Sequence, residues 1–212
     1  MYVPTAFQET DTEKLFELIE QHSFGLLVSD RDGAPFATHL PLLLDRTLAP
    51  HGCLIGHIAR ANPQWQQAEG KPVLAVFSGP HAYISPAWYE AREVVPTWNY
   101  VAVHAYGTFR AIHEVDALLE IVGQYVDFFE AGMPTPWKFD ATSEYSRNMV
   151  RGIVGFRIEI SRLEGKWKLN QNQPRDRREK VVRALLASQD ESSQAVAALI
   201  QRQLDDQPIP NE

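Results

Sequence analysis

From 155 to 169 the chain reads GFRIEISRLEGKWKL, and in its first half apolar and polar residues alternate. Phe156, Ile158 and Ile160 fall on one face while Arg157, Glu159 and Ser161 fall on the other, the pattern of a half-buried strand. FGLLVS (24–29) and APFATHLPLLL (34–44) flank the turn Asp30-Arg31-Asp32-Gly33 and predict a hairpin. CLIGHIA (53–59), VLAVFSG (73–79), HAYIS (81–85) and a long run from about Tyr100 to Ile112 supply further strands. Helical spacing appears elsewhere. A capping box at Thr10-Asp11-Thr12-Glu13 opens a helix with Leu15, Leu18, Ile19 and His22 on its apolar face. Leu118, Leu119, Val122, Val126 and Phe129 predict a helix over 114–131, with Gly132 behind it, and a short helix follows near 142–150. The tail from Arg175 to about Leu204 predicts two helices broken near Ser188-Gln189-Asp190. Six or seven strands joined by short turns predict a mainly β fold: a closed antiparallel barrel with helical additions and a helical C-terminal tail.

Composition narrows the class. The chain has 212 residues, 44% of them hydrophobic and 22% charged, which suits one large domain or one domain with an appendage. No apolar run approaches the length of a membrane span and the first residues lack a signal-peptide pattern, so the expectation is a cytoplasmic protein with no membrane partner. The lone cysteine, Cys53, lies in an apolar strand and reads as core. A net charge of -7 argues against broad binding to nucleic acid. Charge is uneven, though: residues 166–183 carry seven Lys or Arg against two acids, and 184–212 carry five acids against one Arg. No G-x-G-x-x-G, phosphate-binding P-loop or nucleophile elbow is present.

Several clusters could carry chemistry. In GHIARANPQW (56–65), Asn62-Pro63 is a helix start, which offers unpaired amides, and Arg60 adds a cation. Together they suit a small anion, while a simple strand-to-helix turn is the plainer alternative. His39, His57 and His104 each sit in a strand pattern; on neighbouring strands they could approach a metal, but no ligand spacing supports one, and none is expected. Haem on a single His is the harder case to set aside. Residues 82–107 hold Tyr83, Trp88, Tyr89, Trp98, Tyr100 and Tyr106, suited to a pocket wall or subunit interface. There Trp98 offers a stacking surface and Asn99 an amide able to pair with a planar ring. Lys166 to Asn172 brings a cation and amides to one strand end, fit for an anion or a polar ring edge, or for a solvated cap.

With these words in hand the chain resembles the FMN-binding negative transcriptional regulators of the PaiB type, within the FMN-binding split-barrel superfamily. HLPLLL (39–44), GHIARANPQW (56–65), HAYISPAWYE (81–90), VPTWNYVAVHAYG (95–107) and KLNQN (168–172) carry the resemblance, over most of 1–172. It implies an FMN-binding split β-barrel domain over 1–172, a helical extension over 173–212, and a homodimer with flavin sites along its interface. Carried over, Arg60 and Asn62 would hold phosphate, Thr38 and His39 would lie beneath the ring, and Trp98 and Asn99 would come from the facing subunit. Lys168 and Gln171 are further cofactor candidates, and His57 or His39 would serve a haem instead.

Two functions follow. The resemblance implies a flavin-dependent negative regulator of transcription, for which the one candidate DNA contact is the basic segment 175–183, although a packing or dimer-bracing tail is the plainer reading of those helices. The alternative is a small flavin- or haem-dependent oxidoreductase on the same barrel, although no acid or base is obviously placed for it.

Overall fold

The computed structural model describes residues 1–48 and 50–206. Its strands are β1 (Gln8–Glu9), β2 (Phe24–Arg31), β3 (Ala34–Pro41), β4 (Leu43–Asp45), β5 (Cys53–Ala59), β6 (Pro72–Ile84), β7 (Thr97–Ile112) and β8 (Ile153–Lys168). Its helices are α1 (Thr12–Gln21), α2 (Gln64–Ala68), α3 (Val115–Glu130), α4 (Glu144–Met149), α5 (Arg175–Leu186) and α6 (Glu191–Asp205). The antiparallel strand-rich fold is as expected, with helix nearly as abundant as strand. The chain divides into two compact units, and β6, β7 and β8 contribute residues to both.

The larger unit comprises Thr12–Phe77 and His104–Leu163. Its sheet runs in the order β3-β2-β6-β7-β8-β5-β4. The two ends of that order are consecutive in the chain, separated only by Leu42. The closed barrel expected from the strand count is thus corrected to a split one: the ladder stays open, and the chain bends across the gap. Leu42 is fully buried, and its amide donates to Ser23 O at 2.8 Å. The β2–β3 hairpin turns through Asp32 (φ 55°) and Gly33 (φ 83°), the two positive-φ positions of a tight hairpin turn, so that Arg31 pairs with Ala34.

Glycines let this sheet pack closely. Gly56 pairs with Phe156, whose ring lies where a Gly56 Cβ would stand and stacks on Phe109 at 4.7 Å. At Gly107 a Cβ would run into the Glu159 carbonyl, so β7 and β8 approach there only because no side chain intervenes. Against the sheet packs α3, with Leu118, Leu119, Ile121 and Tyr125 buried. Ile121 and Tyr125 thus take the inward positions that spacing gave to Val126 and Phe129, and Phe129 remains 44% exposed. The two strands predicted around Pro80 are one strand, β6; its pairing with β2 covers only Leu74 to Val76, so the proline lies outside that ladder.

The smaller unit comprises Met1–Asp11, Ser78–Val103 and the chain from Glu164 onward. Its β1 pairs with β8 at Gln8–Lys166 and Glu9–Gly165. The helices α5 and α6 form a hairpin, broken where the tail predicted it, and Asp190 caps α6 by accepting from the Ser193 amide at 2.7 Å. Val181, Val182 and Leu185 face Val196, Ala197, Ile200 and Leu204. Arg178 joins this interior at 2% exposure, with Nη2 donating to Gln203 Oε1 at 3.1 Å. At the margin of β6 the Ser192 hydroxyl accepts from the His81 amide and donates to the His81 carbonyl, both at 2.8 Å.

Gly107→Ala is expected to destabilise the protein by about 2 kcal/mol, because backbone rather than a flexible side chain blocks the added methyl. Gly132→Ala, which meets nothing within 4 Å, should change stability by less than about 0.5 kcal/mol. Urea unfolding of both variants measures the difference. Arg178→Ala should cost about 2 kcal/mol or more through lost packing inside the α5–α6 hairpin, read by the same unfolding curves.

Candidate functional site

Strand β3 alternates, so that Phe36, Thr38 and Leu40 share one face and Ala37 and His39 the other. Thr38 and His39, both expected beneath one ring, therefore point to opposite sides of their strand. His39 is exposed and stacks on Phe24 at 6.4 Å. Thr38 meets the turn that follows β5. There the Asn62 amide nitrogen donates to Ala59 O, and the Asn62 side-chain Oδ1 accepts from the Gln64 amide at 2.9 Å. A helix does start here, but one residue later than expected: α2 begins at Gln64 with Pro63 at the N-cap position and is only five residues long, and Asn62 Oδ1 binds its first amide from the residue before the cap. One of the amides it was expected to offer an anion is already bound by Asn62.

Gln64 is fully buried and ties these parts together. Its Oε1 accepts from Thr38 Oγ1 at 2.5 Å, and its Nε2 lies 3.0 Å from Ser29 Oγ, 3.2 Å from Leu27 O and 3.3 Å from Phe36 O. Asn62 Nδ2 donates to Thr38 Oγ1 at 3.0 Å. Thr38 and Asn62 are half-buried and reachable. Sequence reasoning missed Gln64. The available signal was its spacing of four from Ala68, which puts both on the inward face of α2, where both are buried.

Arg60 has other work. Its Nε donates to Arg151 O and its Nη2 to Ile153 O, each at 2.7 Å, so the guanidinium fastens the turn that leads into β8. Its Nη1 is left for solvent or an anion. His57 lies 4.9 Å from the Tyr125 ring, its Nδ1 is buried with no partner among the described residues, and burial holds its pKa below the ordinary value. Tyr125 Oη lies between the carbonyls of Pro41 (2.7 Å) and Ile55 (3.1 Å), and burial pushes the phenol well up. The three strand histidines are on β3, β5 and β7, which are not adjacent in the sheet, and no group of three possible metal ligands exists among the described residues.

The remaining candidates lie in the smaller unit. Trp98 is 54% exposed, edge-on to Tyr83 at 6.0 Å and 6.1 Å from His81. Asn99 is fully buried, and neither Oδ1 nor Nδ2 has a partner among the described residues. Lys168 donates to Thr97 Oγ1, while Gln171 accepts from the Leu169 amide and donates to Trp167 O. Both therefore close the strand end. In the basic segment Arg175 pairs with Glu179 at 3.0 Å, Lys180 pairs with Glu90 at 2.6 Å, and Arg178 is inside the hairpin.

Comparison with known proteins follows the same lines. A family model described as "Putative FMN-binding domain" matches residues 1–162. The Bacillus subtilis protein "Protease synthase and sporulation protein PAI 2" is 36% identical over 206 residues, covering 96% of this chain and 98% of that one. Among solved structures, the FAD and heme binding protein from Mycobacterium smegmatis aligns with a TM-score of 0.58 at 17% identity, over 76% of this chain and 73% of that one. The flavocytochrome Anf3 from Azotobacter vinelandii aligns with a TM-score of 0.58 at 13% identity, over 76% and 69%. At those identities the likeness carries the split-barrel fold alone. Family-model coverage and identity to PAI 2 carry more: this chain belongs to the PaiB-type family of FMN-binding-domain proteins.

Proposed function

We propose that the protein is a homodimeric flavin-binding regulator. The observation that carries the reading is an open apolar sheet face. Across β3, β2 and β6 the paired positions His39–Leu26–Val76 and Ala37–Val28–Leu74 line up on one side. Phe24 extends that side at 68% exposure, paired with Pro41. A two-fold related copy would cover such a face, since a self-complementary apolar sheet is the usual material of a symmetric interface.

The residues fit a flavin in part. Thr38 and Asn62 keep one lone pair and one N–H beyond their mutual bonds, enough for the polar edge of a planar ring. Arg60 keeps Nη1 for a phosphate, a smaller share of its guanidinium than the resemblance implied. A bound flavin would supply reversible hydride or electron transfer; the protein's own part is to hold and orient it. The regulatory part of the reading rests on the family resemblance; the B. subtilis relative carries the name "Protease synthase and sporulation protein PAI 2". In this reading α5 is not the DNA-contacting element, because Arg175, Arg178 and Lys180 are engaged within the chain.

Light scattering should give twice the chain mass for the wild type and the single chain mass for Leu26→Asp, with near-native helix content by circular dichroism. A wild-type monomer would sink the dimer. FMN should stay with the wild-type protein through desalting; protein that emerges free of flavin at every loading ratio would remove the cofactor from the reading.

A further inference from the structure

The Gln64 network has a direction, and the direction is set by chemistry rather than by choice. Leu27 O and Phe36 O are backbone carbonyls and can only accept. The end of the Gln64 amide that faces them must therefore be the NH2 group, which turns Oε1 toward Thr38. An amide oxygen can only accept, so the single Thr38 proton is committed to Gln64. Whatever else approaches Thr38 Oγ1 must be a donor. Asn62 obeys: its Nδ2 faces Thr38 at 3.0 Å. Its orientation is fixed independently at the other end, where Oδ1 faces the Gln64 backbone N–H, a donor only. Two separate anchors thus impose the same sense on the chain of bonds.

What the network leaves over is specific. Thr38 Oγ1 has one unused lone pair and no proton to give; Asn62 Nδ2 has one unused N–H. The pair therefore offers an acceptor beside a donor. A phosphate near neutral pH presents mainly acceptor oxygens and would meet the Thr38 lone pair with repulsion. The complementary group is a donor next to an acceptor, as in the N–H and carbonyl of a cyclic imide.

We infer that Thr38 and Asn62 read the imide edge of a ligand ring, with Gln64 as the positioning residue that makes Thr38 an acceptor. Resting on the flavin reading, this names the pyrimidine part of the flavin as what the site recognises and moves Asn62 away from the phosphate role that the resemblance implied. Gln64 touches no ligand and acts through Thr38.

The test is titration of the full chain with FMN and with N3-methyl-FMN, followed by flavin fluorescence. The two ligands share the phosphate, so its contribution cancels and only the ring N–H differs. The wild type should bind the methylated ligand at least about tenfold more weakly, since a built acceptor is left without its donor. Thr38→Val should bring that ratio to about one, and Thr38→Ser should preserve it. Thermal melts of both variants report whether they fold, and the wild-type comparison stands even where a variant does not. Wild-type protein that binds FMN and N3-methyl-FMN equally overturns the inference while the flavin reading survives, as does a Thr38→Val protein that keeps the full ratio. Wild-type protein that binds neither ligand overturns the flavin reading and this inference with it.

Discussion

The Phe156 ring occupies the space a side chain on Gly56 would need, and the arrangement of the larger unit depends on that exchange. A sheet whose ends are β3 and β4, one residue apart in the chain, has to curve steeply enough to bring its margins round to Leu42. Curvature of that kind needs places where strands approach without side chains between them, and glycine provides them. Gly56 admits the Phe156 ring, Gly107 admits the β8 backbone, and at Gly155 a Cβ would stand 2.8 Å from both Ile121 and Leu118 of α3. The residues that follow β5 then fall into place. Arg60 is tied to carbonyls at the entry to β8, and the next turn delivers Asn62 and Gln64 to the inner side of β3.

Much of this fold was legible because period and punctuation agree. The helix expected over 114–131 is Val115–Glu130, and the tail breaks at the predicted Ser-Gln-Asp. The strand from 155 to 169 is β8, two residues longer at its start and one shorter at its end. What periodicity could not give was which side of an element faces what. Thr38 and His39 are neighbours in sequence and opposites in space, a consequence of the two-residue repeat that a word-by-word match to a family does not see. Arg178 looks like one more cation in a basic helix, yet its position places it with Val181, Val182 and Leu185 on the inward side.

The candidate site was legible in kind and not in detail. Asn62 was found from its capping chemistry, and its side chain does bind the first amide of α2, although Pro63 takes the cap position itself. Arg60 was found from its charge, but charge does not reveal that two carbonyls of a distant turn lie within reach. Gln64 went unseen because amides are usually counted as surface residues, and only a burial partner such as Ala68 hints otherwise. A buried amide is costly wherever a polar atom lacks a partner, and at Gln64 the partners it has are what orient the site.

Ser192 meets β6 at His81 with a hydroxyl that both gives and takes, one atom standing in for the peptide of a neighbouring strand. An open strand margin is a template on which another chain can grow, and proteins blunt such margins with whatever polar group is at hand. The C-terminal helix therefore acts as a stopper as well as a packing element. A chain cut before Ser192 would leave the His81 N–H and carbonyl without this cover, a donor and an acceptor open to pairing with another chain.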